Sequence, residues 1–197
     1  MKLTFKNDTF KILQIADTQE GRKVSPDTLA LINAALDREE PDLVVYSGDQ
    51  IWGRGFHGDV NQVRRVLKEL TAPVVERHLP FAICFGNHDR QVGLDNRAQF
   101  EIYKEIPGFI GEDTPGVDGV GNCVLEIADG DRPGYLLYLI DSHSSLKVGY
   151  DHVHQNQIDW YRGVRDSYEK QYGHTIPSVV IQHLSLIHIS EPTRPIS

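Results

Sequence analysis

Cysteine is scarce. Cys84 and Cys123 lie far apart and in no CxxC spacing, which excludes a disulfide framework and a thiolate zinc site, and both read as buried thiols. Basic side chains are the minority. Twenty Lys and Arg against 28 Asp and Glu give a formal charge of −8, which opposes a nonspecific grip on nucleic acid or anionic lipid, so an anionic substrate must be held locally. Long apolar runs are missing too: nothing approaches the ~20 residues of a membrane-spanning helix. The start, Met1-Lys2-Leu3-Thr4-Phe5-Lys6-Asn7-Asp8, has no apolar signal core. A cytoplasmic location with no membrane partner is the expectation. There is no internal repeat, and 197 residues suit one well-buried α/β domain.

What is present is an alternation. Apolar runs at 10–16, 43–46, 81–85, 135–140 and 178–181 read as strands buried on both faces, with a further strand at 123–127 inside a Gly- and Asp-rich excursion over 108–131. Helical patterns lie between them. Ser25 and Pro26 offer an N-cap and first-turn proline for a helix through Arg38, with Leu29, Ile32 and Leu36 on one side. A second helix is expected over 59–70, with Pro73 breaking or restarting it. A third begins near Asp95 and ends before Pro107; the last spans 155–172, stops at Gly173, and offers Ile158, Tyr161, Val164 and Tyr168 to the core. This implies a parallel or mixed sheet covered on both faces.

The chemistry lies at the strand ends. Asp17-Thr18-Gln19, Gly48-Asp49, Gly86-Asn87-His88-Asp89, Asp141-Ser142-His143 and Gln182-His183 each follow a buried run. In open α/β sheets the ligand crevice lies beyond the carboxyl ends of the strands, so these groups can converge on one site. Asp, Asn and His without cysteine form an oxygen and nitrogen ligand set suited to Mn²⁺, Fe or Zn²⁺ at a catalytic centre. His57, His152, His154 and His174 sit in polar segments and read as solvated.

The series D-x-Q, G-D, G-N-H-D and a strand-end His resembles the calcineurin-like metallophosphoesterase superfamily over nearly the whole chain up to His183. Asp141-Ser142, Gly149-Tyr150-Asp151 and Gln157-Ile158-Asp159-Trp160 further resemble its purple-acid-phosphatase-like and Dcr2-like intracellular branch. The resemblance implies an α/β sandwich of mixed sheets flanked by helices, and hydrolysis of phosphate esters by water activated between two divalent metals, Mn, Fe or Zn. It further implies that Asp17, with Gln19 beside it, holds one metal, that Asp49 bridges both through two free oxygens, and that Asn87 and His183 hold the second. His88 would protonate the leaving oxygen or donate a hydrogen bond to a phosphoryl oxygen, with Asp89 orienting its ring, and Arg54, Arg90 and His143 are candidate substrate contacts. The expected partners are a phosphorylated small molecule or a phosphoprotein. A non-catalytic phosphate-binding scaffold and a nuclease are the alternatives, the latter disfavoured by the acidic charge.

Two features depart from that pattern. Gln19 stands where the family has a histidine, so the first metal position is weaker, favours Mn²⁺ or Mg²⁺, or assembles only with substrate. The family's later G-H-x-H is absent. Residues 184–194 look instead like a translated sequencing adapter, so the expected division is a phosphoesterase domain over 1–183, incomplete at its C-terminus, and a non-native tail over 184–197.

Overall fold

A computed structural model describes residues 2–53 and 55–185; the candidate contact Arg54 and the tail beyond Ser185 lie outside the described residues. In chain order the elements are β1 (Leu3–Thr4), β2 (Ile12–Ile15), α1 (Pro26–Glu39), β3 (Leu43–Ser47), α2 (Val60–Glu76), β4 (Phe81–Cys84), α3 (Asn96–Lys104), β5 (Cys123–Asp129), β6 (Arg132–Leu139), α4 (Gln155–Tyr172) and β7 (Ser178–Ile181).

The strands form two sheets, β2-β3-β4 and β1-β5-β6-β7. The first is all parallel, while in the second only the β5-β6 hairpin is antiparallel. Because successive side chains on a strand point to opposite faces, β3 serves two cores at once. Val44 and Tyr46 turn toward α1, α2 and α3, whereas Leu43 and Val45 join Leu125, Leu137 and Leu139 between the sheets. On β6 the same alternation sends Leu136 and Tyr138 outward beneath Trp160, Tyr161, Val164 and Tyr168 of α4. The result is a helix, sheet, sheet, helix sandwich, the arrangement that the family resemblance implies, rather than the single sheet covered on both faces that the strand and helix alternation suggests.

Local chemistry sets the boundaries. The Ser25 hydroxyl accepts from the Asp27 amide with Pro26 in the first turn, and Asp59 and Asp95 cap α2 and α3 in the same way. Helix α2 runs straight through Pro73, against the expectation of a break there. Val63, Val66, Leu70 and Val74 are fully buried on both sides of it, so packing outweighs the lost backbone bond. The outer strands also differ from expectation. On β2, Gln14 is exposed and its neighbours only half-buried, and on β7 only Ile181 is buried, because both strands lie at sheet edges. β6 starts at Arg132 and carries Pro133 beside a register irregularity at Ile127 and Ala128, where a residue without an amide proton is tolerated. No described helix is long and apolar enough to cross a membrane.

Candidate metal centre

The ladder between β2 and β3 continues past the strand ends, through Asp17 N to Gly48 O at 3.0 Å and Gln19 N to Asp49 O at 2.8 Å. This locks the two polar loops side by side. Asp17, Gln19 and Asp49 all have left-handed backbones, with φ of 57°, 47° and 55°. Such conformations cost L-residues roughly 1–2 kcal/mol each, and clustered strain of this kind is a mark of functional loops.

Two glycines make room for the side chains. A Cβ on Gly48 would lie 2.4 Å from His183 Nδ1, and one on Gly86 would lie 2.2 Å from Asp49 Oδ1. With those spaces open, ligand atoms of Asp17, Asp49 and His183, from three different strand ends, lie within 4.8 Å of one another. His183 Nδ1 is 3.0 Å from the Ser47 carbonyl, which can only accept, so Nδ1 carries a proton, and Nε2, 3.4 Å from Asp49 Oδ2, is the nitrogen left to donate to that carboxylate or, once deprotonated, to take a cation. Burial alone would push the Asp49 carboxyl up, but His183 and the His88 amide outweigh it and hold the group below the usual carboxylate range. Burial likewise opposes charge on His183, and Asp49 reverses the balance and raises its pKa.

Asp49 is not free at both oxygens. Oδ1 accepts the His88 amide at 2.8 Å, while Oδ2 faces His183 Nε2 and Gln19 Nε2. Gln19 reaches the same oxygen, its Nε2 donating to Oδ2 at 3.4 Å. Asn87 is buried on the loop between Gly86 and His88, its carbonyl accepting the Ser144 hydroxyl. The His88 ring packs 5.5 Å from Trp52 with Nε2 3.8 Å from Asp49 Oδ2, and its buried Nδ1 has no hydrogen-bond partner among the described residues.

Asp89 does not orient that ring. Its carboxylate, 1% exposed, accepts the amides of Asp49, Gly86 and Ile51 instead. Burial pushes it up to about 6 against the pull of those bonds. It is the knot that ties the β3 and β4 loops together, and the motif G-N-H-D gives no sign of this because the bonds are to backbone. Arg90 is exposed and directed at the Ser145 carbonyl, 3.4 Å away. His143 is not at this centre either; it stacks on His154 at 4.1 Å, and His154, expected to be solvated, is half-buried between Asp118 and Asp151. The signal for that second cluster, a His-rich segment around Asp151, was present but polar enough to pass for a loop. A groove of about 700 Å³ between β2 and α1 shares no residue with either cluster.

A carboxylate and imidazole cluster on the ends of parallel strands, in a two-sheet sandwich flanked by helices, gives an α/β protein with a candidate metal site at its strand ends. The chain belongs to the calcineurin-like phosphoesterase family, whose profile matches residues 10–193. It is 31% identical over 185 residues to the phosphatase DCR2 of Saccharomyces cerevisiae, covering 80% of this chain and 32% of that protein. It is 26% identical over 227 residues to the probable inactive purple acid phosphatase 14 of Arabidopsis thaliana, covering 94% of this chain and 56% of that one. The chain thus spans from about a third to just over half of the length of these relatives. A dimetal phosphatase from Danio rerio shares the fold, with a TM-score of 0.61 at 14% identity over 89% of this chain and 69% of that one.

Proposed function

We propose that the chain carries the front of a phosphoesterase centre that hydrolyses phosphate esters with two divalent metal ions. The observation that carries this is the convergence of Asp17, Asp49 and His183 within 4.8 Å on strained loops whose glycines leave space for nothing but those side chains. The donor set fits a cation: an ionised carboxylate oxygen, a second carboxylate, an imidazole held through Nδ1, and the amide of Gln19 beside them, with Asn87 buried on the adjoining loop. Asp17, Gln19 and Asp49 would hold one ion, and Asp49, Asn87 and His183 the other, with Mn, Fe or Zn all compatible with oxygen and nitrogen ligands. When bound, such ions neutralise phosphoryl oxygens and bring the pKa of water down toward neutrality.

The remaining work falls to His88. Its ring stands at the rim against Trp52 with Nε2 3.8 Å from Asp49 Oδ2, close enough to the cluster to hand a proton to a leaving oxygen. The substrate is then a phosphorylated small molecule or phosphoprotein in the cytoplasm, held locally despite a net charge of −8 that disfavours nucleic acid. A second reading, a non-catalytic phosphate-binding scaffold, is favoured by Gln19 in place of an imidazole and by a relative whose name calls it probably inactive.

Loading with Mn²⁺ and assaying p-nitrophenyl phosphate separates them. Two Mn²⁺ per chain with turnover supports the enzyme, and Asp49→Asn then abolishes both. His88→Ala lowers turnover by about 10²–10⁴-fold with the metal retained. An equal fall in metal content overturns the roles assigned, and one ion or none with phosphate still bound supports the scaffold.

A further inference from the structure

The cluster that His143 joins shares no residue with the candidate centre. His143, Asp151 and His154 each offer a ligand atom, all within 4.8 Å of one another, and all three are half-buried. We propose that these three residues form a separate site for a single borderline transition metal, Zn²⁺ in the first place.

The surroundings prepare both rings. Gln157 Nε2 donates to Asn122 Oδ1 at 2.9 Å and to the Asp141 carbonyl at 2.7 Å, which fixes its amide so that Oε1 is the acceptor. His143 Nε2, 2.9 Å from that oxygen, must therefore carry the proton, and the lone pair of the neutral ring is at Nδ1, the nitrogen a cation takes. His154 is held by its other side: Nδ1 lies 2.8 Å from Asp118 Oδ2, while Nε2 lies 3.2 Å from Asp151 Oδ1. A carboxylate on the far nitrogen of a histidine is the arrangement that orients metal-ligating imidazoles and raises their basicity. Two imidazoles and one carboxylate, with no thiolate, leave a fourth position for water and match zinc better than calcium or magnesium.

With the His154 ring protonated, its Nε2 proton lies toward Asp151 Oδ1, 3.2 Å away. Zn²⁺ displaces it, and the proton leaves to solvent. The position of the site gives it a purpose. The segment from 144 to 151 is a small hairpin, closed by Asp151 N to Ser144 O at 2.8 Å and Leu146 N to Gly149 O at 3.0 Å, with Leu146 and Val148 exposed at its tip. His143 stands at one foot, Asp151 and His154 at the other. Ser144 Oγ and the Ser145 carbonyl contact Asn87 and Arg90, so a cation clamping the feet orders a hairpin that adjoins the phosphoesterase loops.

The test titrates Zn²⁺ alone into the full chain carrying Asp49→Asn, followed by calorimetry and by long-range ¹H–¹⁵N spectra of the histidine rings. One equivalent should bind with proton release, and the ring nitrogens of His143 and His154 should shift together. Adding His154→Ala or Asp151→Asn should remove this event, and Asp118→Asn should weaken it about 10–100-fold. If Asp49→Asn fails to fold, the same spectra on the unsubstituted chain decide. Zn²⁺ that moves only His183, or affinity indifferent to His154→Ala and Asp118→Asn, overturns the proposal.

Discussion

Replacing Asp89 by alanine separates an architectural role from a catalytic one. Its two oxygens end three backbone N–H bonds, from Gly86 at 2.7 Å, Asp49 at 2.9 Å and Ile51 at 3.1 Å, at a site only 1% exposed. A buried donor left without a partner costs about 1–3 kcal/mol. Simple addition gives roughly 3–9 kcal/mol for the three. They belong to one network and alanine opens space for water, so the sum overstates the loss, and about 3–5 kcal/mol is expected. With a urea m-value near ~2 kcal/mol/M the midpoint falls by about 2 M, a large share of the ~5–15 kcal/mol typical of a domain. Asp89→Asn keeps an acceptor oxygen but turns an NH₂ against at least one amide, so about half the loss is expected.

Equilibrium urea unfolding by circular dichroism measures this, with Mn²⁺ content determined on the same samples. Freeing the Gly86 and Asp49 amides unties the loops that present Asn87, His88 and Asp49, so metal binding and stability should fall together. A loss below about 1 kcal/mol would refute the amide accounting. Full stability and full metal content with impaired turnover would show that Asp89 acts on His88 after all.

Two further outcomes follow from the geometry. Gly48→Ala places a Cβ 2.4 Å from His183 Nδ1 on a backbone with φ of 106°, so Mn²⁺ affinity measured by calorimetry should drop by at least about tenfold, equivalent to ~1.4 kcal/mol, and an unchanged affinity counts against the packing argument. Asp42 is pushed up by burial but held below its ordinary 3.8 by the Lys11 amide and the Lys6 ammonium. Its folded pKa lies below the unfolded one, so the stabilisation is present above 3.8 and is lost as pH falls through the folded value. Thermal melts from about pH 5 down to ~2.5 should show Asp42→Asn losing less stability on acidification than the unsubstituted chain, and parallel curves would refute the assignment.

The fold was legible because each buried run was also an element and each began or stopped at a residue with a stated reason. Ser25 with Pro26, Asp95, and Gly173 mark helix ends within a residue or two of where they fall. Pro73 misled because a local rule was applied where the Val66, Leu70 and Val74 face overrides it. Edge strands misled for a similar reason: an apolar run at 10–16 or 178–181 does not say whether both its faces will be covered. At the site, topology implied that the strand-end groups Asp17, Asp49 and His183 could converge, since parallel strands put all their carboxyl ends on one side, and their ligand atoms do lie within 4.8 Å of one another. What no motif could give were the bonds to backbone: Asp89 to three amides, His88 N to Asp49 Oδ1, and His183 Nδ1 to Ser47. Those depend on where main-chain groups point after folding, and they decide the tautomer and which carboxylate oxygen is free.

Gln19 brings these strands of argument together, because its backbone is built for a ligand and its side chain is not. Its φ of 47° is a conformation in which histidine is enriched and a long amide has no special advantage. From there Nε2 donates to Asp49 Oδ2, so the amide presents a proton to the cluster, while His183 is held through Nδ1 by the Ser47 carbonyl and turns Nε2 to the same oxygen. The two halves are therefore unequal. On the proposed two-metal reading, the His183 half need only give up a proton to take a cation, while the Gln19 half must turn its amide over to offer oxygen, a ligand that suits Mn²⁺ better than zinc. The unsubstituted chain should take up Mn²⁺ in two separate calorimetric steps. Gln19→His supplies an imidazole on a compatible backbone and should tighten the weaker step by at least about tenfold, ~1.4 kcal/mol, with a larger gain for Zn²⁺ than for Mn²⁺. Unchanged steps would mean that position 19 does not reach a metal and that the weak half of the centre has another cause.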